Sequence, residues 1–128
     1  MNSPYKGKPG IKRIWNALLY ALDGFTAAFR YEDSFRLEVV VALALIPLAF
    51  SMHISAISKV LMIGSVLLVL IVELINSAIE AIIDRVSLEN HVLAKRAKDF
   101  GSAAVMLSLI NAAVVWMLVL FGGNWMPR

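Results

Sequence analysis

Hydrophobic residues run almost without interruption through three stretches of the chain. The stretches cover Leu37–Ile57, Ile54–Val72 and Ala103–Phe121. A helix of about 20 apolar residues crosses the hydrocarbon core of a bilayer. The pattern therefore predicts an all-α membrane protein whose second helix continues past the apolar stretch into the cytoplasm. The predicted membrane helices cover residues 37–57, 54–84 and 102–122, within one domain over residues 1–128.

In the segment before these stretches, apolar residues recur with the period of a helix. Apolar side chains recur every three or four residues, at Ile14, Leu18, Leu22, Phe25 and Phe29, while basic and polar residues occupy the other faces. This spacing is typical of an amphipathic helix that lies along a membrane surface. We therefore predict an interfacial helix over residues 11–30.

Composition and charge restrict the class of protein further. Hydrophobic residues make up 60% of the 128 residues and the mean hydropathy is +0.78, which excludes a small water-soluble domain. The chain has no cysteine, so thiol catalysis and cysteine metal sites are excluded. Most basic residues precede the first apolar stretch or separate the second from the third. By the positive-inside rule, the N-terminus and second loop face the cytoplasm and the C-terminus lies outside.

Five polar side chains share one face of the central helix. They are Glu73, Asn76, Ser77, Glu80 and Asp84. At about 100° per residue, the last four lie within about 60° of Glu73. The apolar residues 54–72 form about 28 Å of helix, which places Glu73 near the cytoplasmic boundary. A polar stripe can simply join helices, but three carboxylates repel one another unless cations neutralise them. We therefore predict a divalent-cation site.

Two charged segments adjoin the apolar stretches on the cytoplasmic side. In the junction Tyr31–Glu38, the simplest interpretation of Glu32 is a surface ion pair with Arg36, four residues later. Ser87–Phe100 is predicted to be the only substantial cytoplasmic loop. Its basic side chains suit binding to phosphate or anchoring to anionic lipid.

Two sequence blocks, VELINSAIEAIIDR and RAKDFGSAAV, closely resemble the signature of the small bacterial integral-membrane diacylglycerol kinases. The junction RYEDSFRLE resembles the acidic segment of that family, and the resemblance covers nearly the whole chain. It implies an inner-membrane homotrimer with shared active sites and no nucleic-acid partner. The implied reaction is the phosphorylation of diacylglycerol to phosphatidic acid, with ATP as co-substrate and Mg²⁺ as cofactor. The alternatives are an undecaprenol kinase and a non-enzymatic, cation-binding membrane subunit.

The resemblance also implies roles for individual residues. Glu73 would be the general base that faces the lipid hydroxyl, with Ser102 as a further lipid contact. Glu32 and Glu80 would hold the metal ion. The implied catalytic set is Glu73, Asn76, Lys98 and Asp99. The implied nucleotide-binding set is Arg13, Tyr20, Glu32, Glu80, Asp84, Arg85, Glu89, His91, Lys98 and Asp99.

The motifs of the large kinase classes are missing from the sequence. It contains no GxxxxGK[ST] phosphate loop, and no glycine-rich loop accompanied by HRD and DFG. At 14.1 kDa, one subunit is also small for enclosing both ATP and a lipid. Both observations favour a kinase of a separate class, with sites shared between subunits.

Overall fold

The computed structural model describes residues 10–86 and 91–122, which form four helices. Their bounds are Gly10–Tyr31 for α1, Asp33–Ser51 for α2, Ala56–Val86 for α3 and Val92–Phe121 for α4. This confirms the predicted all-α class. Helices α2, α3 and α4 are each long and apolar enough to cross a membrane.

Helix α3 lies at the centre of the chain and packs against both α4 and α2, while α1 packs against α2. Its buried residues recur at helical spacing along one stripe. They are Met62, Ser65, Val66, Val69, Glu73 and Asn76. The stripe that supplies the apolar core thus continues into a carboxylate and an amide. These two polar groups are therefore held between helices rather than on the outer surface.

A hydrogen bond joins α3 to α4 within the apolar region. The indole Nε1 of Trp116 donates to the backbone oxygen of Met62 at 3.2 Å, and the Ser65 hydroxyl donates to the same oxygen at 2.7 Å. Met62 itself is completely buried. Where no water competes, such polar contacts help to fix the register of one helix against the other.

Several predicted boundaries differ from the structure, most of all the start of α4 and the end of α2. Residues 92–100, predicted as loop, are helical, because α4 begins at Val92. The backbone N–H of Leu93 donates to Nδ1 of His91 at 3.1 Å, which caps this helix. The loop prediction was wrong here because charged residues end an apolar run without ending a helix. Helix α2 stops at Ser51, earlier than the predicted residue 57.

The outer surface of the chain remains apolar. Only 6% of the apolar 18-residue stretch of α4 is buried within the chain. On α1, Ile11 and Ile14 are 85% and 72% exposed. Apolar surfaces of this extent are covered by lipid or by another protein.

Candidate active site

Glu73 is the centre of a cluster of carboxylates. It is 6% exposed on the buried stripe of α3, and its carboxyl group lies within hydrogen-bonding reach of that of Glu38 on α2. The charges of Glu80 and Glu32 also act on it. Oε2 of Glu73 and Oε2 of Glu38 are buried, and neither has a hydrogen-bond partner among residues 10–86 and 91–122.

No basic side chain of the described residues forms an ion pair with this cluster. The ion pairs in that part of the chain are Arg36 with Asp33, Lys95 with Asp99 at 2.7 Å, and Lys98 with Asp84 at 2.6 Å. None of the four clustered glutamates is therefore neutralised by an ion pair within the described residues. Such a site attracts cations.

The expected ion pair between Glu32 and Arg36 was wrong. Arg36 instead pairs with Asp33 and donates to the backbone oxygens of Phe29 and Arg30, each at 3.3 Å. The reason is a break between α1 and α2, where Glu32 has an extended backbone (φ −113°, ψ 107°) and makes no side-chain capping bond. An i, i+4 contact requires continuous helix through both residues. The break leaves Glu32 available for another partner.

Asn76 links the buried stripe to Glu80. Its Nδ2 donates to Oε1 of Glu80 at 3.3 Å. The residue is 8% exposed, and its Oδ1 is buried with no hydrogen-bond partner in the described chain. The amide therefore holds the Glu80 carboxylate on one side and leaves an acceptor oxygen on the other.

A groove of about 500 Å³ lies between α1 and α3 beside the carboxylates. Its polar lining includes Glu32 and Ser77, and its walls include Phe25, Tyr31 and Leu74. An apolar groove with a few polar groups in its lining has the character of a site for an amphipathic small molecule.

The basic groups lie where α3 ends and α4 begins. The ion pair of Lys98 with Asp84 connects the two helices, whereas the pair of Lys95 with Asp99 lies within α4. The charges of Lys98 and Glu80 also interact. A cation thus lies next to the acidic cluster, on a half-exposed side chain.

Other predicted site residues lie apart from the carboxylates. Arg13 and Tyr20 line a separate groove of about 350 Å³ on α1. Arg85 is exposed in the last turn of α3, His91 caps α4, and Ser102 is exposed on α4. Glu89 lies outside the described residues.

Sequence reasoning gave no role to Glu38, although the structure places it against Glu73. A signal was available, because Glu38 falls inside the predicted span 37–57. A carboxylate in a membrane helix is by default a candidate functional group whose partner should be sought.

The donor set suits Mg²⁺ only if a substrate completes it. Among residues 10–86 and 91–122, no three His, Asp or Glu side chains converge closely enough to hold a metal ion by themselves. Mg²⁺ is commonly held by one or two carboxylates together with substrate phosphates and water. The residues therefore fit a magnesium ion only if its remaining ligands come from outside the described part of the chain.

Comparison with known proteins assigns the chain to a family. The prokaryotic diacylglycerol kinase family matches residues 19–120. Diacylglycerol kinase of Pseudomonas aeruginosa is 54% identical over 120 residues, covering 94% of this chain and 98% of the relative. The Escherichia coli K12 and Haemophilus influenzae diacylglycerol kinases are 46% and 45% identical over 112 residues, covering 88% of this chain and 92% and 95% of the relatives. The chain therefore belongs to the prokaryotic diacylglycerol kinase family and is a lipid kinase.

Proposed function

We propose that the protein transfers the γ-phosphoryl group of ATP to the hydroxyl of diacylglycerol, giving phosphatidic acid and ADP. The observation that carries the proposal is the carboxylate cluster around the buried Glu73, with which no basic side chain of the described residues forms an ion pair. It lies beside an apolar groove of about 500 Å³. Such a groove suits a lipid whose reactive hydroxyl points toward acceptor oxygens.

In this reaction the lipid oxygen forms a bond to the γ-phosphorus as the bond to the ADP oxygen breaks. The hydroxyl proton must leave, and the unpartnered Oε2 of Glu73 is a buried acceptor for it. Because the transition state of phosphoryl transfer is loose, little deprotonation is needed before bond formation. Glu73 therefore acts either as a general base or as a group that orients the hydroxyl. Ser102 is proposed as a second lipid contact.

Glu32 and Glu80 are the residues we propose to hold Mg²⁺. Both are close enough to Glu73 for their charges to act on it, and the Glu80 carboxylate is held by the Asn76 amide at 3.3 Å. Glu32 and Glu80 would hold Mg²⁺, which would supply positive charge to stabilise the negative charge that develops on the phosphoryl group. Two carboxylates alone leave coordination positions of the ion open for phosphate oxygens.

Lys98 is proposed to contact the nucleotide phosphates. It pairs with Asp84 at 2.6 Å in the described chain, an exposed contact that is easily exchanged for phosphate because such pairs contribute little stability. Asp99 is held by Lys95 at 2.7 Å and is proposed to support the same region. Arg85, Glu89 and His91 are proposed to line the rest of the nucleotide site.

We also propose a homotrimer in the inner membrane, with α1 along its cytoplasmic face. The nearly unburied α4 and the exposed apolar residues of α1 support this arrangement. Arg13 and Tyr20 line a groove separate from the carboxylates of their own chain, and we propose that both residues line the nucleotide site of another subunit. We propose that the N-terminus lies in the cytoplasm and the C-terminus outside, which the distribution of basic residues supports.

The proposal is tested with purified protein in mixed micelles, labelled ATP and Mg²⁺. Diacylglycerol and undecaprenol are offered in parallel, and the Glu80→Gln variant serves as control. Label in phosphatidic acid that is lost in the control is the expected result. Label in the polyprenol alone would keep the site and change the acceptor. Label in neither, from a correctly assembled oligomer, would overturn the proposal.

The two roles of Glu73 are separated by the pH dependence of turnover. A general base gives a rising limb in the pH–rate profile that disappears in Glu73→Gln. An orienting group gives the variant a lower rate at all pH values with an unchanged profile.

A further inference from the structure

Gly101 is buried on α4 directly opposite Asn76 of α3. A Cβ atom built on Gly101 would lie 3.1 Å from Cγ of Asn76 and would overlap its Oδ1. Relief of this overlap requires the Asn76 amide to move, and that amide is buried and donates to Glu80 through Nδ2 at 3.3 Å. The amide therefore occupies the space that any side chain at position 101 would need.

The other glycines within the helices do not share this feature. A Cβ at Gly24 or Gly64 would meet no heavy atom within 4 Å. Close approach of two membrane helices at a glycine is common by itself. The specific feature of Gly101 is the polar group that it faces, whose Oδ1 is buried with no hydrogen-bond partner in the described chain.

We propose that Gly101 is a positioning residue for the kinase reaction, which acts through Asn76 on Glu80. The missing side chain at position 101 leaves room for the Asn76 amide in the one orientation that donates to Oε1 of Glu80. This inference rests on the proposed role of Glu80 as a ligand of the metal ion. It adds α4 to the elements that shape the site, although Gly101 itself contacts neither substrate nor metal.

The expected consequence of Gly101→Ala is a displaced Asn76 amide and a Glu80 carboxylate that is no longer held. Hydrogen bonds to charged groups are among the stronger ones in proteins. We expect the affinity for the metal ion to fall about tenfold, the ratio that corresponds to one such bond. Turnover at low Mg²⁺ falls with it, whereas high Mg²⁺ restores part of the rate.

The experiment measures binding of Mn²⁺ to the purified oligomer by electron paramagnetic resonance, with a non-hydrolysable ATP analogue and without turnover. The proteins compared are wild type, Gly101→Ala, Gly64→Ala, Asn76→Ala and the Asn76→Ala/Gly101→Ala double variant. Gly64→Ala makes the same substitution in open space and is expected to bind like wild type. In the Asn76→Ala protein, adding Gly101→Ala is expected to change the affinity for Mn²⁺ less than about twofold. If Gly101 acts only through Asn76, the effects of the two substitutions are not additive.

Two results would overturn the inference. One is wild-type affinity in Gly101→Ala, and the other is an equal loss from Gly101→Ala with and without Asn76. If Gly101→Ala does not assemble, assembly of the double variant supports the contact, and failure of the double variant also overturns it. Wild-type protein that binds no Mn²⁺, or a Glu80→Gln variant that binds it normally, would instead overturn the proposed metal site.

Discussion

Replacing Glu38 by leucine tests whether Glu73 depends on its neighbour across the contact between α2 and α3. The two carboxyl groups lie within hydrogen-bonding reach, and Oε2 of each is buried without a partner in the described residues. Leucine removes the carboxyl group of α2 that interacts with Glu73. The Glu73 carboxylate then loses a contact that fixes its orientation.

The size of the effect follows from the type of bond. A hydrogen bond that involves a charged group contributes about 1.5–3 kcal/mol. If that contribution is fully expressed at the transition state, kcat falls about 10- to 150-fold in Glu38→Leu. Glutamine keeps the shape of the side chain and donates from its amide, so Glu38→Gln should retain more activity than the leucine variant.

The assay is the rate of phosphatidic acid formation in mixed micelles at saturating MgATP, with the oligomer checked by size-exclusion chromatography. KM for diacylglycerol separates positioning of Glu73 from general loss of lipid binding, because an interaction made only at the transition state lowers kcat and kcat/KM equally. An assembled Glu38→Leu protein with activity within twofold of wild type would refute the reasoning.

Two further predictions concern helix packing and phosphate binding. Trp116→Phe removes the hydrogen bond to Met62 but keeps an aromatic ring. The free energy of unfolding in mixed micelles should therefore fall by about 0.6 kcal/mol, and by at most about 1.7 kcal/mol. Trp15→Phe, on the exposed face of α1, should change this free energy less. An equal loss in both variants would contradict this. Lys98→Met should lower kcat/KM for ATP about a hundredfold, because it removes a charge-assisted phosphate contact, whereas Lys95→Met should lower it less than about fivefold. Similar ATP titrations for the two lysine variants would argue against a phosphate role.

The sequence predicts well those features that depend only on the geometry of a single helix and on the thickness of the bilayer. The buried stripe of α3 follows from a period of 3.6 residues, so the faces of Glu73 and Asn76 were predictable before any packing was known. Three apolar helices follow from hydrophobic length alone. The implied roles of Glu32 and Glu80 came from family resemblance, since spacing assigns no function to a residue.

The features that sequence could not predict depend on contacts between helices or on a local break. Arg36 forms its ion pair with Asp33 because the backbone is no longer helical at Glu32. The spacing of residues along the sequence gives no sign of that break. The contact of Glu38 with Glu73 depends on how α2 packs against α3. The start of α4 at Val92 was missed because hydropathy detects the membrane-embedded part of a helix, whereas this helix extends beyond it.

The position of the carboxylates links the stability of the chain to its activity. Glu73 and Asn76 continue the same buried stripe as Met62, so the surface that packs α3 against its neighbours is also the surface that forms the site. Buried polar atoms without partners cost stability, and Oε2 of Glu73 and Oδ1 of Asn76 are such atoms within the described residues. An apolar residue at either position would be expected to pack more favourably and to remove the acceptor that the reaction uses. The unpartnered oxygens are therefore consistent with a site that is completed only when cation, nucleotide and lipid arrive.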